Sequence, residues 1–239
     1  MRFVGVDLAA DAKRTGIALL REGERLVVES ARVGVDDDEL IEVVRHADKA
    51  GIDVPLGWPE PFIDLMRTHA EGTQPAPAST GGEWRRGLAM RTTDLAVHRR
   101  TGLTPLSVST DRIAHPAFRW AGIEARLRDM GVAVERDGSG IVCEVYPAAT
   151  LRCWSLPHRG YKGPKNARLR SALVTALVER LPWLDWNGHQ EVCAADDNVL
   201  DAVLAALTAR EVAHGRCDGP PSDVREIVRG EGWIWLPSQ

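Results

Sequence analysis

An α/β fold built on a mixed sheet is predicted by three observations. Three short apolar segments follow one another closely near the start of the chain, further apolar segments alternate with helical patterns, and carboxylates stand at the ends of these segments. Residues 2–8 (RFVGVDL) read as a buried strand. After the small polar turn 9–14 a second strand occupies 15–20, and beyond the acidic tip 21–24 a third occupies 25–31. Connections this short suit antiparallel neighbours, and Gly23 suits a tight turn, so the three strands form a meander. Asp36, Asp37 and Asp38 precede a helix over 39–50, in which Leu40, Val43, Val44 and Ala47 recur at helical spacing; acids at its start suit the macrodipole. Residues 50–54 form a short buried strand ending at Asp53, stopped by Pro55 and Pro59.

From about 59 to 139 the pattern changes to helical stretches broken by the loop 71–82, rich in Gly, Pro, Thr and Ser. This is an enlarged helical insertion within a single domain over 1–239 rather than a separate unit. A strand over 141–145 follows, then helices over 167–180 and 196–213. The last has Val199, Leu200, Val203, Leu204 and Leu207 as an apolar stripe. An extended end over 232–236 is anchored by Trp233 and Trp235. Helices are expected on both faces of the sheet, and no internal repeat is visible.

At 239 residues and 44% hydrophobic content the chain can bury one large core. A net charge of −4 and a pI near 6.0 exclude a protein that coats nucleic acid by charge alone, so any phosphate-binding face is local. The four cysteines contain no C-x-x-C pair, which signals neither a zinc ribbon nor a disulfide scaffold and favours a reduced, cytoplasmic setting. Met1 leads directly into the first strand, and no apolar run approaches about 18 residues, so neither export nor a membrane partner is expected.

Four carboxylates carry the functional reading: Asp7 in RFVGVDLA, Asp53 in GIDVPLGWP, Glu144 in GIVCEVYP and Asp201 in DDNVLDAVLAALTA. Acids at the carboxyl ends of strands collect in the crevice where open α/β sheets bind ligands, and they repel one another unless a cation joins them. Leu8 leaves the facing of Asp7 open to strand periodicity, and a turn or cap is its ordinary alternative. Asp53 lies between Ile52 and Val54, where an unpaired charge is expensive. Glu144 lies between Cys143 and Val145, with an ion pair to an arginine of the insertion as its alternative. Asp197 and Asp201 are one turn apart on one helix face; Asp197 equally serves as N-terminal charge, whereas Asp201 interrupts the apolar stripe a turn inside.

Oxygen ligands fit Mg²⁺ or Mn²⁺, and no clustered His and Cys set points to zinc. In two-metal sites, carboxylates bridge ions about 3.5–4 Å apart that activate the attacking water and stabilise the leaving oxygen of a phosphodiester. The predicted chemistry is phosphoryl transfer with a hard metal.

The element order resembles the ribonuclease-H-like fold. VGVDLA with TGIALL, GIDVPLGWP, RTTD at 91–94, EVYPAA, GYK at 160–162 and DAVLAALTA resemble the domain of unknown function 429, a family predicted to be ribonuclease-H-like nucleases. The similarity runs from Val4 to the C-terminal EGWIWLP. It implies metal-dependent cleavage of nucleic acid, DNA or RNA, with Asp7, Asp53 and Asp201 as metal ligands, Glu144 completing or orienting the site and Asp197 as an additional ligand.

Basic residues are dense over 84–100 and 158–170, where they could neutralise phosphates, and Trp84 or Tyr161 could stack on a base; a solvated face is the alternative. Arg91 and Lys162 are the candidate phosphate-binding residues, although Arg91 and Asp94 are also spaced to pair on one helical turn. Two rivals remain. One is a noncatalytic nucleic-acid or metal-binding module on the same fold. The other is an actin-like ATP-binding protein, disfavoured because no second copy of the meander and no phosphate-binding loop motif occurs.

Overall fold

A computed structural model describes residues 1–238. The chain begins with β1 (Arg2–Asp7), β2 (Gly16–Glu22), β3 (Leu26–Val33), α1 (Asp37–Arg45) and β4 (Lys49–Asp53). Four helices then intervene: α2 (Glu60–Glu71), α3 (Gly82–Ala89), α4 (Thr92–Thr101) and α5 (Ala114–Asp129). The remainder is β5 (Val142–Glu144), α6 (Pro147–Cys153), α7 (Ala167–Arg180), β6 (Leu184–Asp185), α8 (Gln190–Ala195), α9 (Asp197–Ala213), β7 (Cys217–Asp218), α10 (Arg225–Glu231) and β8 (Leu236–Pro237).

Six strands form a mixed sheet in the order β5-β4-β1-β2-β3-β6. The meander pairs antiparallel, while β4, β5 and β6 join it in parallel. The α/β class, the meander and the helical insertion between β4 and β5 therefore stand as expected. The first helix is shorter than anticipated: it ends at Arg45, with His46 as its cap, because the chain must turn before Lys49 enters β4. The C-terminal segment runs beside β5 through a parallel bridge between Glu144 and Ile234, and then forms β8 against β7.

Strand alternation divides the core in two. Phe3, Ala18, Leu20 and Val28 face α7 and α9, whereas Val4, Val6, Ile17, Ala50 and Ile52 face α1 and α5. Helix α9 is apolar nearly all round, with every residue from Val199 to Ala209 buried, which suits a helix enclosed between sheet and surrounding elements. No helix among the described residues is long and apolar enough to cross a membrane.

The contact between α9 and the sheet is unusually close, and three glycines on adjacent strands make it so. A Cβ on Gly5 would stand 1.9 Å from the Ala202 carbonyl oxygen, one on Gly16 2.1 Å from that of Asn198, and one on Gly51 2.4 Å from that of Ala205. Each clash is with helix backbone, which no side-chain rotation relieves. Gly5→Ala is accordingly expected to lower stability by about 3 kcal/mol. Denaturant unfolding measures this, and a midpoint equal to that of the parent would contradict the close packing.

Candidate metal centre

The same alternation that sends Gly5 and Gly51 towards α9 sends Asp7 and Asp53 to that face, because each lies two residues further along its strand. The two aspartates are register partners across the parallel β1–β4 pair, at the carboxyl ends of both strands. Asp201 extends from the first turns of α9, held near the strand ends by the glycine contacts. One carboxylate oxygen from each of Asp7, Asp53 and Asp201 lies within 4.8 Å of the other two. The donor set is three hard anionic oxygens, which fits Mg²⁺ or Mn²⁺.

Electrostatics mark the cluster as short of positive charge. Burial pushes the Asp7 carboxyl well above the usual range, and Asp201 and Asp53 push it further. Burial raises Asp53 to about 7; Lys162 opposes the rise, and Asp201 and Glu144 add to it. Lys162 brings its ammonium 2.6 Å from Asp201 Oδ2, as an ion pair without hydrogen-bond geometry. Burial works against that ammonium, yet Asp201, Asp53, Tyr161 and Asp7 hold it protonated well above the usual lysine range. Lys162 thus turns towards the acids, although its side chain stays about half exposed.

A tether that sequence reasoning missed holds Lys162 there. Tyr161, considered above for base stacking, is buried and donates its hydroxyl to Asp201 Oδ1 at 2.8 Å. Asp197 lies outside the triad and accepts the Gly163 N–H at 3.1 Å, so it fastens the Lys162 loop. Arg170 is buried and donates to the Tyr161 and Gly163 carbonyls and to those of Ala194 and Ala195. The dense basic stretch over 158–170 therefore contains one scaffold residue, one residue facing the acids, and others left to solvent.

Glu144 does not join the triad. It pairs in register with Ile52, whose side chain faces α1 and α5, whereas its neighbours Cys143 and Val145 pack against α9. Period-two alternation thus turns Glu144 to the opposite face from Asp53. There its two oxygens each accept from Arg91 at 2.7 Å, and Oε2 also accepts the Leu56 N–H. Arg91 also donates to Asp94 and to the Glu231 carbonyl, so all five of its N–H groups are engaged. Burial opposes its charge, but Glu144 and Asp94 hold the guanidinium protonated beyond the ordinary arginine range. The phosphate-binding role expected of Arg91 is therefore corrected to that of a buried strut joining the insertion, β5 and the C-terminal segment.

The triad opens into a cleft of about 830 Å³. Asp7 and Asp53 lie in its lining, and Arg14, Arg112, His115, His158 and Arg159 supply basic groups to its walls. An acidic floor under basic walls suits a ligand that is anionic and also shares a cation with the protein.

Two outcomes are expected. Glu144→Gln breaks a buried pair and lowers stability by about 3–5 kcal/mol. Its metal affinity by calorimetry stays at the parental value, and lost affinity in folded protein would instead make Glu144 a ligand. Asp53 sets a pH dependence. Its folded value of about 7 lies above the unfolded one, so the proton binds the folded state more tightly. The stability this gives the metal-free protein is complete below about pH 4 and is lost as pH rises through 7. Thermal melts of the parent should therefore fall relative to those of Asp53→Asn across that window, and parallel curves would contradict the shift.

No curated protein and no solved structure matches the chain. Its sequence matches the family described as "Protein of unknown function (DUF429)" over residues 5–226, and the chain belongs to that family.

Proposed function

We propose that this protein is a metal-dependent hydrolase of phosphodiester bonds in nucleic acid, built on a ribonuclease-H-like fold. The observation that carries the reading is the convergence of Asp7, Asp53 and Asp201 within 4.8 Å at the carboxyl ends of β1 and β4, where burial and the neighbouring carboxylates raise Asp7 and Asp53 above the usual carboxylate range. The meander extended by parallel strands, with acids on the first strand, on the strand after the first helix and on α9, supports the fold assignment.

Asp7, Asp53 and Asp201 would hold Mg²⁺ or Mn²⁺, which when bound supplies an activated water and a Lewis acid for the leaving oxygen. Tyr161 fixes the rotamer of Asp201 through its hydroxyl. Asp197 and Arg170 hold the loop that carries Lys162, and Lys162 offsets part of the negative charge. The basic walls place positive groups where substrate phosphates would otherwise meet only carboxylates.

Lys162 also favours a second reading, a noncatalytic binding module in which the ammonium itself closes the acid cluster. Calorimetry with Mg²⁺ and Mn²⁺, alongside cleavage assays on DNA and RNA, separates the two. The parent should bind metal and cleave, whereas Asp7→Asn and Asp201→Asn should remain folded, bind metal at least tenfold more weakly and lose cleavage by on the order of a hundredfold or more. Unchanged cleavage in both variants would sink the proposed centre. Nucleic-acid binding by a parent that takes no metal and shows no turnover would establish the module instead.

A further inference from the structure

Phe118, in the first half of α5, is 60% exposed, with Leu106 also exposed on the cleft wall. Single exposed apolar side chains are ordinary. Phe118 is not single. Its ring stacks on half-buried Trp58, with centroids 5.7 Å apart and planes inclined by 17°, and His115 meets its edge at 6.4 Å and 80°. His115 also lines the acidic cleft, so the three rings continue the wall of the cleft outward. Trp58 comes from the segment after β4 and Phe118 from α5, so the shelf is assembled by the two ends of the insertion.

The charge beside this shelf selects its occupant. Arg14, Arg112 and Arg159 line the same cleft, all three are exposed, and none has an acid partner among the described residues. By contrast Arg119, next to Phe118 in sequence, is committed to Asp37, Thr15 and the Ala9 carbonyl. A presented aromatic ring beside unpaired guanidinium groups matches a ligand that alternates flat π-faces with phosphates. In a duplex those faces are stacked inside the helix, whereas in a single strand they are free to lie on a side chain.

We infer that the Trp58–Phe118–His115 shelf stacks an unpaired base of a single-stranded nucleic acid, while Arg14, Arg112 and Arg159 hold its flanking phosphates and direct the strand over the acid cluster. This rests on the proposed nucleic-acid reading and specifies the form of its substrate.

The test is fluorescence anisotropy in Mg²⁺ with a labelled single-stranded oligonucleotide and its duplex. All proteins carry Asp7→Asn so that the probe is not cleaved. The single strand should bind at least fivefold more tightly than the duplex. Phe118→Ala should weaken the single strand on the order of tenfold, within the range of base–aromatic stacking, and leave the duplex unchanged, while Phe118→Trp should restore binding. Arg112→Gln should reduce the salt slope by about 0.7 per lost phosphate contact. Because Phe118 is exposed, its replacement should leave the melting temperature near the parental value. Duplex preference, or single-strand binding indifferent to Phe118→Ala, would overturn the shelf while leaving a nuclease standing. Binding of neither form would also overturn it, and the metal titration and cleavage assays described above would then judge the hydrolase reading separately.

Discussion

The close seat of α9 on the sheet is the constraint on which the rest of the site depends. Gly5, Gly16 and Gly51 remove the Cβ layer that ordinarily separates a helix from a sheet, and Ala202, Ala205 and Ala206 keep the helix side equally lean. Without that approach Asp201 would stand too far above the strand ends to lie within 4.8 Å of Asp7 and Asp53. The glycines sacrifice side-chain packing at three core positions, and the broad burial of α9 against β1, β2 and β4 supplies apolar contact in its place. Geometry that brings the acids together is thus made by residues with no chemistry of their own.

Bringing three carboxylates together in a buried place works against the fold. The molecule answers with one cation of its own, Lys162, carried on a loop fastened by Gly163 to Asp197 and by Arg170 to the backbone on either side. One ammonium against three carboxylates leaves the cluster still deficient, and burial together with the neighbouring carboxylates displaces Asp7 and Asp53 upward despite Lys162. Another buried acid, Glu144, is treated differently: Arg91 meets it with paired hydrogen bonds and the Leu56 N–H completes the set. A fully satisfied ion pair braces the structure, whereas the acid cluster keeps its carboxylates under-compensated.

The two aspartates on strands were legible because apolar neighbours surround each, and Asp201 because it breaks an apolar stripe. A shared pattern also lay in plain view: Gly-Val-Asp in β1 and Gly-Ile-Asp in β4 place a glycine two residues before each acid, on the same face of the strand. Alternation along Cys143, Glu144 and Val145 could likewise have separated Glu144 from the cluster, had the register with Ile52 been known. Register is set by tertiary pairing, which no single strand encodes. The Arg91–Asp94 pair was legible from spacing, and an arginine of the insertion was an alternative partner for Glu144. That the arginine is Arg91 and that it also reaches Glu231 was hidden, since those partners are 53 and 140 residues away along the chain. The short helices α6, α8 and α10 carry too few residues for a hydrophobic period to emerge, and β6 has only two.

The sheet topology also separates the acid cluster from the walls of the cleft. The three clustered carboxylates come from β1, β4 and α9, elements buried on several sides and unable to shift without disturbing the core. The cleft walls come from elsewhere: the long excursion between β4 and β5 brings Arg112 and His115 to one side, and the loop between α6 and α7 brings His158, Arg159 and Lys162 to the cleft as well. These walls bear on the core through a few buried anchors such as Arg91, Trp120 and Arg170. Exposed wall residues other than Lys162 can therefore change with little effect on the acid cluster, whereas a change at Gly5 or Gly51 must move it. The acid cluster and the cleft walls are in this way placed on parts of the chain that answer to different physical demands.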